Sequence, residues 1–307
     1  MLKGKDVLNA AQFSLKELDL IMNTAARFEK RVKSGEVINS LEGQVVASLF
    51  FEPSTRTLLS FETAINRLGA RVVSMANAAT SSVAKGETLA DTIRTVDGYV
   101  DIIVIRHPMK GSAQIAADNA IHPVINGGDG AGQHPTQALL DLYTIRKEKG
   151  ILSGQTITFL GDLKNGRTVH SLGYFMTLFQ NKMIFVSPES LKMPAEITQD
   201  LRSRGAEIEE TEDVGKALSD SDLVYVTRVQ RERFENPEEY EKVKGVYVIN
   251  RKMIEKAKKG ITILHPLPRV DEIAIDVDDY EGAAYFRQAH NGLYVRMALL
   301  ALISGKE

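Results

Sequence analysis

Cysteine is absent from the chain, which excludes disulfides, thiol catalysis and any cysteine-built metal centre. The six histidines are scattered, with no H-x-x-x-H or similar pair, so a histidine-based metal catalyst is not expected either, and no cofactor is called for. Long apolar runs are also missing. Nothing approaches the ~18 consecutive apolar residues of a membrane span, and Met1-Leu2-Lys3-Gly4-Lys5 leads into mixed sequence rather than a secretory apolar core. Positive charge is not in excess, because 38 Lys and Arg face 40 Asp and Glu for a net charge of −2. A nucleic-acid or anionic-membrane partner would demand such an excess. The expectation is a plain soluble, cytoplasmic protein with neither kind of partner. Internal repeats and low-complexity segments are lacking as well.

What is present suffices for ordinary globular cores: 43% hydrophobic residues over 307 positions, a length that suggests roughly two domains. Apolar β-rich runs alternate with amphipathic helical stretches, the pattern of parallel sheets with crossover helices. The expected strands are Val45 to Phe51, Arg71 to Met75, Ile102 to Ile105 and Val124 to Asn126 in a first half. In a second half they are Thr156 to Leu160, Met183 to Val186, Glu207 to Glu209, Leu223 to Thr227 and Thr262 to Leu264. Ser14-Leu15-Lys16-Glu17 reads as a capping box opening a helix through about Arg31. The Gly-rich run from Gly127 to Gly132 reads as a turn, leading into a helix from about Pro135 to Lys147 with proline near its favoured first position. The predicted fold is α/β, with two doubly wound parallel-sheet domains of similar size, 1-149 and 150-284. A C-terminal helix of about 285-305, strongly apolar from Val295 to Ile303, is expected to pack back across the first domain.

The segment Phe51-Glu52-Pro53-Ser54-Thr55-Arg56-Thr57 carries the densest chemistry. It lies between a strand and a helix whose apolar residues Leu58, Phe61, Ile65 and Leu68 recur at helical spacing from Thr57. The first N–H groups of a helix lack intrahelical acceptors and the helix dipole favours negative charge there, so hydroxyls and a guanidinium at this point suit a phosphate. Other polar clusters also fall where strands should end, the usual ligand edge of an open α/β sheet. They are Arg106-His107-Pro108, Gln133-His134-Pro135-Thr136-Gln137, Gly161-Asp162-Leu163-Lys164-Asn165-Gly166-Arg167-Thr168, Thr227-Arg228-Val229-Gln230 and His265-Pro266-Leu267-Pro268-Arg269. Taken singly, each has an ordinary structural reading. Ser54 serves as an N-cap, His134 as a loop histidine before proline, Lys85 as a solvated loop lysine, and Arg269 to Glu272 as a surface ion-pair cluster. The run from Gly161 to Gly166 has neither Walker nor G-x-G-x-x-G spacing, so a nucleotide is not indicated.

Taken in order, P-S-T-R-T, R-H-P, Q-H-P-T-Q, G-D-L-K-x-G-R-T-V-H-S, T-R-V-Q and H-P-L-P-R-V-D-E-I resemble the catalytic chain of the aspartate transcarbamoylases, from Phe50 to about Leu302. S-T-R-T and H-P-x-Q mark transcarbamoylases in general. T-R-V-Q and H-P-L-P-R point to aspartate, because ornithine enzymes carry a cysteine in an H-C-L-P version. The resemblance implies transfer of the carbamoyl group of carbamoyl phosphate to the amino group of L-aspartate, as in pyrimidine biosynthesis, without metal or cofactor. The residue types suit that chemistry, since a phosphate and two carboxylates must be held close together and arginine's fork binds such groups bidentately.

By the same resemblance Ser54, Thr55, Arg56 and Thr57 cradle the phosphate, and Arg106 bridges phosphate and carbamoyl oxygen. His134 and Thr55 donate to the carbamoyl carbonyl, an oxyanion-hole role. Gln137 and the backbone carbonyls of Leu267 and Pro268 orient the carbamoyl NH₂ and the attacking amine. Arg167, Arg228 and Gln230 take the aspartate carboxylates, with Lys85 reaching in. In the family Ser81 and Lys85 enter a neighbouring subunit's site, which implies a homotrimer with shared sites; regulated members add a separate regulatory chain.

This chain departs from the family at Leu58, where arginine is common, at Asn165, where an aromatic residue is frequent, and at Ala84, where a second lysine can stand. Glu52, Arg167 and Arg233 match a link that holds a closed form, and Lys164, Glu239, Tyr240 and Asp271 match positions that stabilise an open one. Two rival readings stand beside this one. One is an ornithine or other amino-acid transcarbamoylase, and the other a non-catalytic anion-binding scaffold, which would be expected to lose some of these ligands.

Overall fold

The computed structural model describes residues 2-75, 86-234 and 236-307, arranged as two compact units, Met1–Leu140 with His290–Glu307, and Asp141–Ala289. In the first unit, β1 (Val45–Phe50), β2 (Arg71–Met75), β3 (Ile102–His107) and β4 (Val124–Asp129) form an all-parallel sheet in the order β2-β1-β3-β4. The helices are α1 (Leu15–Lys33), α2 (Thr55–Arg67), α3 (Leu89–Asp97) and α4 (Ser112–Asn119), and the chain leaves the unit within α5 (Pro135–Lys149). Parallel strands covered on both faces read as near-continuous apolar runs, which is why β1 and the Ile102 to Ile105 stretch of β3 are buried almost throughout. Ala47, Leu49, Ile103, Ile105 and Val124 pack there with Ile93, Ala113 and Ala116 from α3 and α4. The capping box of α1 forms as its sequence indicates: the Ser14 N–H donates to Glu17 Oε2 at 3.0 Å, and the Glu17 N–H donates to Ser14 Oγ at 3.3 Å.

The second unit repeats the scheme with β5 (Thr156–Leu160), β6 (Lys182–Val186), β7 (Ile208–Thr211), β8 (Leu223–Val226) and β9 (Thr262–Leu264), all parallel in the order β7-β6-β5-β8-β9. Helices α6 (Arg167–Leu178), α7 (Ala195–Ser203), α8 (Val214–Asp220), α9 (Pro237–Val243) and α10 (Arg251–Lys256) lie between them in sequence. The chain rejoins the first unit within α11 (Tyr285–Ile303). There the Gly4 N–H donates to the Ile303 carbonyl at 2.9 Å, and Arg296 bonds Ser60 Oγ at 3.0 Å while its guanidinium lies 5.0 Å over the Phe61 ring. Among the described residues no helix is long and apolar enough to cross a membrane.

Three local expectations need correction. Residues Gly127 to Asp129 continue β4 rather than forming a turn, and β3 likewise runs on through Arg106 and His107. The pairing resumes after an irregularity, with His107 opposite Asp129. Glycine eases that close approach, because a Cβ on Gly127 would lie a tight 3.2 Å from the Ile105 carbonyl oxygen. Helix α2 begins at Thr55, two residues before the expected start at Thr57.

Candidate active site

Strand order locates a site in each unit before any side chain is considered. From β1 the chain moves to β2 on one side and then to β3 on the other, and from β5 it moves out through β6 and β7 before returning to β8. The carboxyl ends of β1 and β3, and of β5 and β8, therefore flank the crevice where an open α/β sheet binds ligands. In the first unit Ser54 to Thr57 follow β1, Arg106 lies at the end of β3, and His134 and Gln137 follow β4. In the second, Arg167 follows β5, Arg228 and Gln230 follow β8, and Leu267 and Pro268 follow β9. Each set comes from three adjacent strands of its sheet. Ser81, Ala84 and Lys85 lie outside the described residues.

The early start of α2 sharpens the first half-site. Ser54 is the N-cap residue, its side chain makes no capping hydrogen bond, and its carbonyl accepts the first helical bond from Leu58 N–H at 3.1 Å. Thr55, Arg56 and Thr57 are then the first three helical residues, whose N–H groups have no intrahelical acceptor. Thr55 and Arg56 are exposed and Thr57 is buried. Arg106 is mostly buried, with Nη2 2.8 Å from Glu52 Oε1 and Nη1 donating to the Gly127 carbonyl at 3.2 Å. In this structure Glu52 thus sits on Arg106. His134 is buried, its Nδ1 3.4 Å from Thr136 Oγ1, and its carbonyl accepts the Gln137 and Ala138 N–H groups as α5 opens. The turn that delivers it is tied by Asp129, whose carboxylate accepts the Gly111 N–H at 2.9 Å and the Gln133 N–H at 2.6 Å.

In the second unit the ends of β5 and β8 touch closely. Gly161 has φ +118°, and a Cβ there would lie 2.2 Å from the Thr227 carbonyl oxygen, so only glycine fits between the loops that lead to Arg167 and Arg228. Beside it Asp162 is fully buried and accepts from both nitrogens of Asn165 and from the Gln230 N–H. Burial pushes this carboxyl above the usual carboxylate range, against the pull of those donors and of His170. Arg228 and Gln230 are half-buried, and Arg228 shares a cleft with Tyr240 and Asp271.

The loop after β9 is pinned by a buried histidine. His265 Nδ1 accepts the Leu267 N–H at 2.7 Å, so this ring is neutral with its proton on Nε2, which donates to Glu272 Oε1 at 2.7 Å. The other Glu272 oxygen accepts the Val270 and Asp271 N–H groups at 3.1 and 3.2 Å. Burial raises Glu272, yet these donors hold it below the usual range. Leu267 itself adopts φ +56°, an uncommon conformation outside glycine that persists where surroundings over-determine it. Arg269 grips Asp278 with both Nη atoms, and Tyr285 joins them. The sequence motifs contain Asp162, His265 and Glu272 but assign them no role; Asp162 meets Asn165 three residues on and Gln230 in another loop, and His265 meets Glu272 seven residues on, turn and loop contacts on which periodicity carries no signal.

Two doubly wound units, each offering anion-binding groups at its strand ends, suit an enzyme that joins two charged substrates. The chain belongs to the aspartate/ornithine carbamoyltransferase family, whose carbamoyl-P binding domain matches residues 5–147 and whose Asp/Orn binding domain matches residues 153–303. Relatives named aspartate carbamoyltransferase catalytic subunit include those of Methanopyrus kandleri, 53% identical over 303 residues, and Thermococcus gammatolerans, 51% identical over 302. Both alignments cover 98% of this chain and 98% of the relative. The crystal structure of aspartate transcarbamoylase from Trypanosoma cruzi in complex with carbamoyl phosphate and aspartate matches with a TM-score of 0.93 at 41% identity, covering 98% of this chain and 97% of that one.

Proposed function

We infer that the chain transfers the carbamoyl group of carbamoyl phosphate to the amino group of L-aspartate, giving N-carbamoyl-L-aspartate and phosphate for pyrimidine biosynthesis. The observation that carries this reading is the pair of anion-binding sets, each on three adjacent strand ends, in a member of this family. Residues 1-149, with the helix of about 285-305, form the carbamoyl phosphate domain, and residues 150-284 the aspartate domain. Ser54, Thr55, Arg56 and Thr57 hold the phosphate, Arg106 spans phosphate and carbamoyl oxygen, and His134 with Thr55 stabilises the oxyanion. Gln137 and the carbonyls of Leu267 and Pro268 orient the carbamoyl NH₂ and the amine, while Arg167, Arg228 and Gln230 bind the carboxylates.

The amine nitrogen bonds to the carbonyl carbon, the bond from that carbon to the phosphate oxygen breaks, and the departing phosphate takes the proton the amine loses. Acceleration comes from positioning and electrostatics rather than a covalent intermediate. Ser81 and Lys85 complete the site of a neighbouring subunit in a cytoplasmic homotrimer, and a regulatory chain is a further partner, a reading supported by the relatives' designation as catalytic subunits. Steady-state assays with carbamoyl phosphate and, in parallel, aspartate, ornithine and N-acetylornithine test the reading. Carbamoylated aspartate is the expected product. Turnover of ornithine alone would reassign the acceptor, and no turnover of any would favour the scaffold.

A further inference from the structure

In the loop after β5 the structure gathers a buried carboxylate and a glutamine around Asn165. The carboxylate of Asp162 lies fully buried beneath the loop, and no lysine or arginine among the described residues ion-pairs with it. Asn165 supplies most of its hydrogen bonds: the backbone N–H at 2.9 Å to Oδ1, and the side-chain Nδ2 at 3.2 and 3.1 Å to Oδ1 and Oδ2. The remaining contact, at 3.5 Å, is the Gln230 N–H. The carbonyl oxygen of Asn165 faces the other way, accepting Gln230 Nε2 at 3.2 Å and the Arg167 N–H at 3.0 Å.

We propose that Asn165 is a positioning residue for the amino-acid substrate: its amide clamps Asp162 while its carbonyl fixes the side chain of Gln230 and the first residue of α6, Arg167. A carbonyl oxygen can only accept, so the atom of Gln230 facing it is the amide nitrogen. The Gln230 oxygen is thereby turned away from Asn165, which leaves it and one N–H to meet a ligand. A side chain without an amide at this position would leave the buried carboxylate only the backbone N–H of residue 165 and the long contact from Gln230. Burial already raises the Asp162 carboxyl, and removing the Asn165 side-chain amide would raise it further, leaving the loop between β5 and α6 tied to that carboxylate by one backbone N–H alone.

The proposal rests on aspartate being the acceptor, and its test separates the two. Asn165→Ala and Asn165→Asp are compared with the wild-type chain for KM and kcat with aspartate, for the pH dependence of kcat/KM, and for the rise in Tm on adding carbamoyl phosphate. Asn165→Ala should raise the KM for aspartate by about tenfold or more, the loss typical of hydrogen bonds to a charged group, with the carbamoyl phosphate response unchanged. Asn165→Asp keeps the shape and the backbone carbonyl but sets a second carboxyl against Asp162. While the pair shares a proton it should act like wild type, and it should lose aspartate affinity as rising pH removes that proton, because two adjacent carboxylates do not readily both ionise. Wild-type KM values and pH profiles in both variants would overturn the proposal, as would an equal loss of aspartate and carbamoyl phosphate binding. A wild-type chain inactive on aspartate would overturn the assigned function and this proposal together.

Discussion

Arg56 is the second residue of α2, whose first three N–H groups have no acceptor within the helix, and it is exposed. Replacing it by alanine should lower kcat by ~10²-fold or more, the usual loss on removing one donor from a site that stabilises transition-state charge. Arg56→Lys should fail as well, because a point charge does not reproduce the two-pronged contact with phosphate. Retention of most of the steady-state activity by either variant would end the assignment of the phosphate to this turn. Arg228 belongs to the other half. Arg228→Ala should cripple aspartate use yet leave the rise in Tm on adding carbamoyl phosphate largely intact, and an equal loss of both would contradict the division of labour between the units. At this scale the sequence exposed the charged and polar candidates but not the contacts that support them. A loop motif shows which charges are present, whereas the buried contacts from His265 to Glu272 and from Asn165 to Asp162 exist only once the chain has folded.

Among the elements, the strands were the most legible, because buried parallel strands are unbroken apolar runs whatever their neighbours do. The glycines of β4 were not, since glycine by itself suggests a turn and only the nearby Ile105 carbonyl explains its place in a strand. The contact of Gly161 with β8 makes a prediction of the same kind. Gly161→Ala must separate the ends of β5 and β8 and hold alanine at φ +118°, a change expected to destabilise the second unit by ~2 kcal/mol or more. Melting curves would show the loss, and kinetics should show aspartate binding impaired more than carbamoyl phosphate binding.

Helix α1 offers a pH test. Glu17 is held at about 2, below its ordinary 4.5, first by the Lys5 ammonium and then by the Ser14 N–H. A depressed carboxyl contributes stability above its unfolded value and loses it as pH falls through the folded one. The advantage of wild type over Glu17→Gln should therefore be complete above pH 4.5 and vanish towards pH 2. Because the Lys5 end of the pair is exposed to solvent, that advantage should be ~1 kcal/mol or less, and a Tm difference unchanged across this window would exclude the ion pair as its source.

The whole-molecule prediction concerns the proposed shared site. Homotrimers of Arg56→Ala and of Lys85→Ala should each be inactive, one lacking the phosphate turn and the other the lysine supplied to a neighbour. When the two are dissociated and reassembled together, an interface with Arg56 from one chain and Lys85 from the other carries no substitution. With random mixing in a closed ring, roughly one quarter of sites should be restored, and activity should rise accordingly. A mixture as inactive as its parents, despite demonstrated subunit exchange, would remove Lys85 from the neighbour's site.

The path of the chain between its units also sets an order of events at the ribosome. The second unit is inserted between Leu140 and His290 of the first, and residues 294-303 of α11 are all buried. A nascent chain thus makes the four-stranded sheet first and the five-stranded unit next, and receives the missing piece of its first core only once α11 has been translated. The second unit comes from one continuous stretch, whereas the half assigned to carbamoyl phosphate cannot finish before α11 has been made. A message truncated just before His290 would encode every residue assigned to both substrates and still yield no completed first unit.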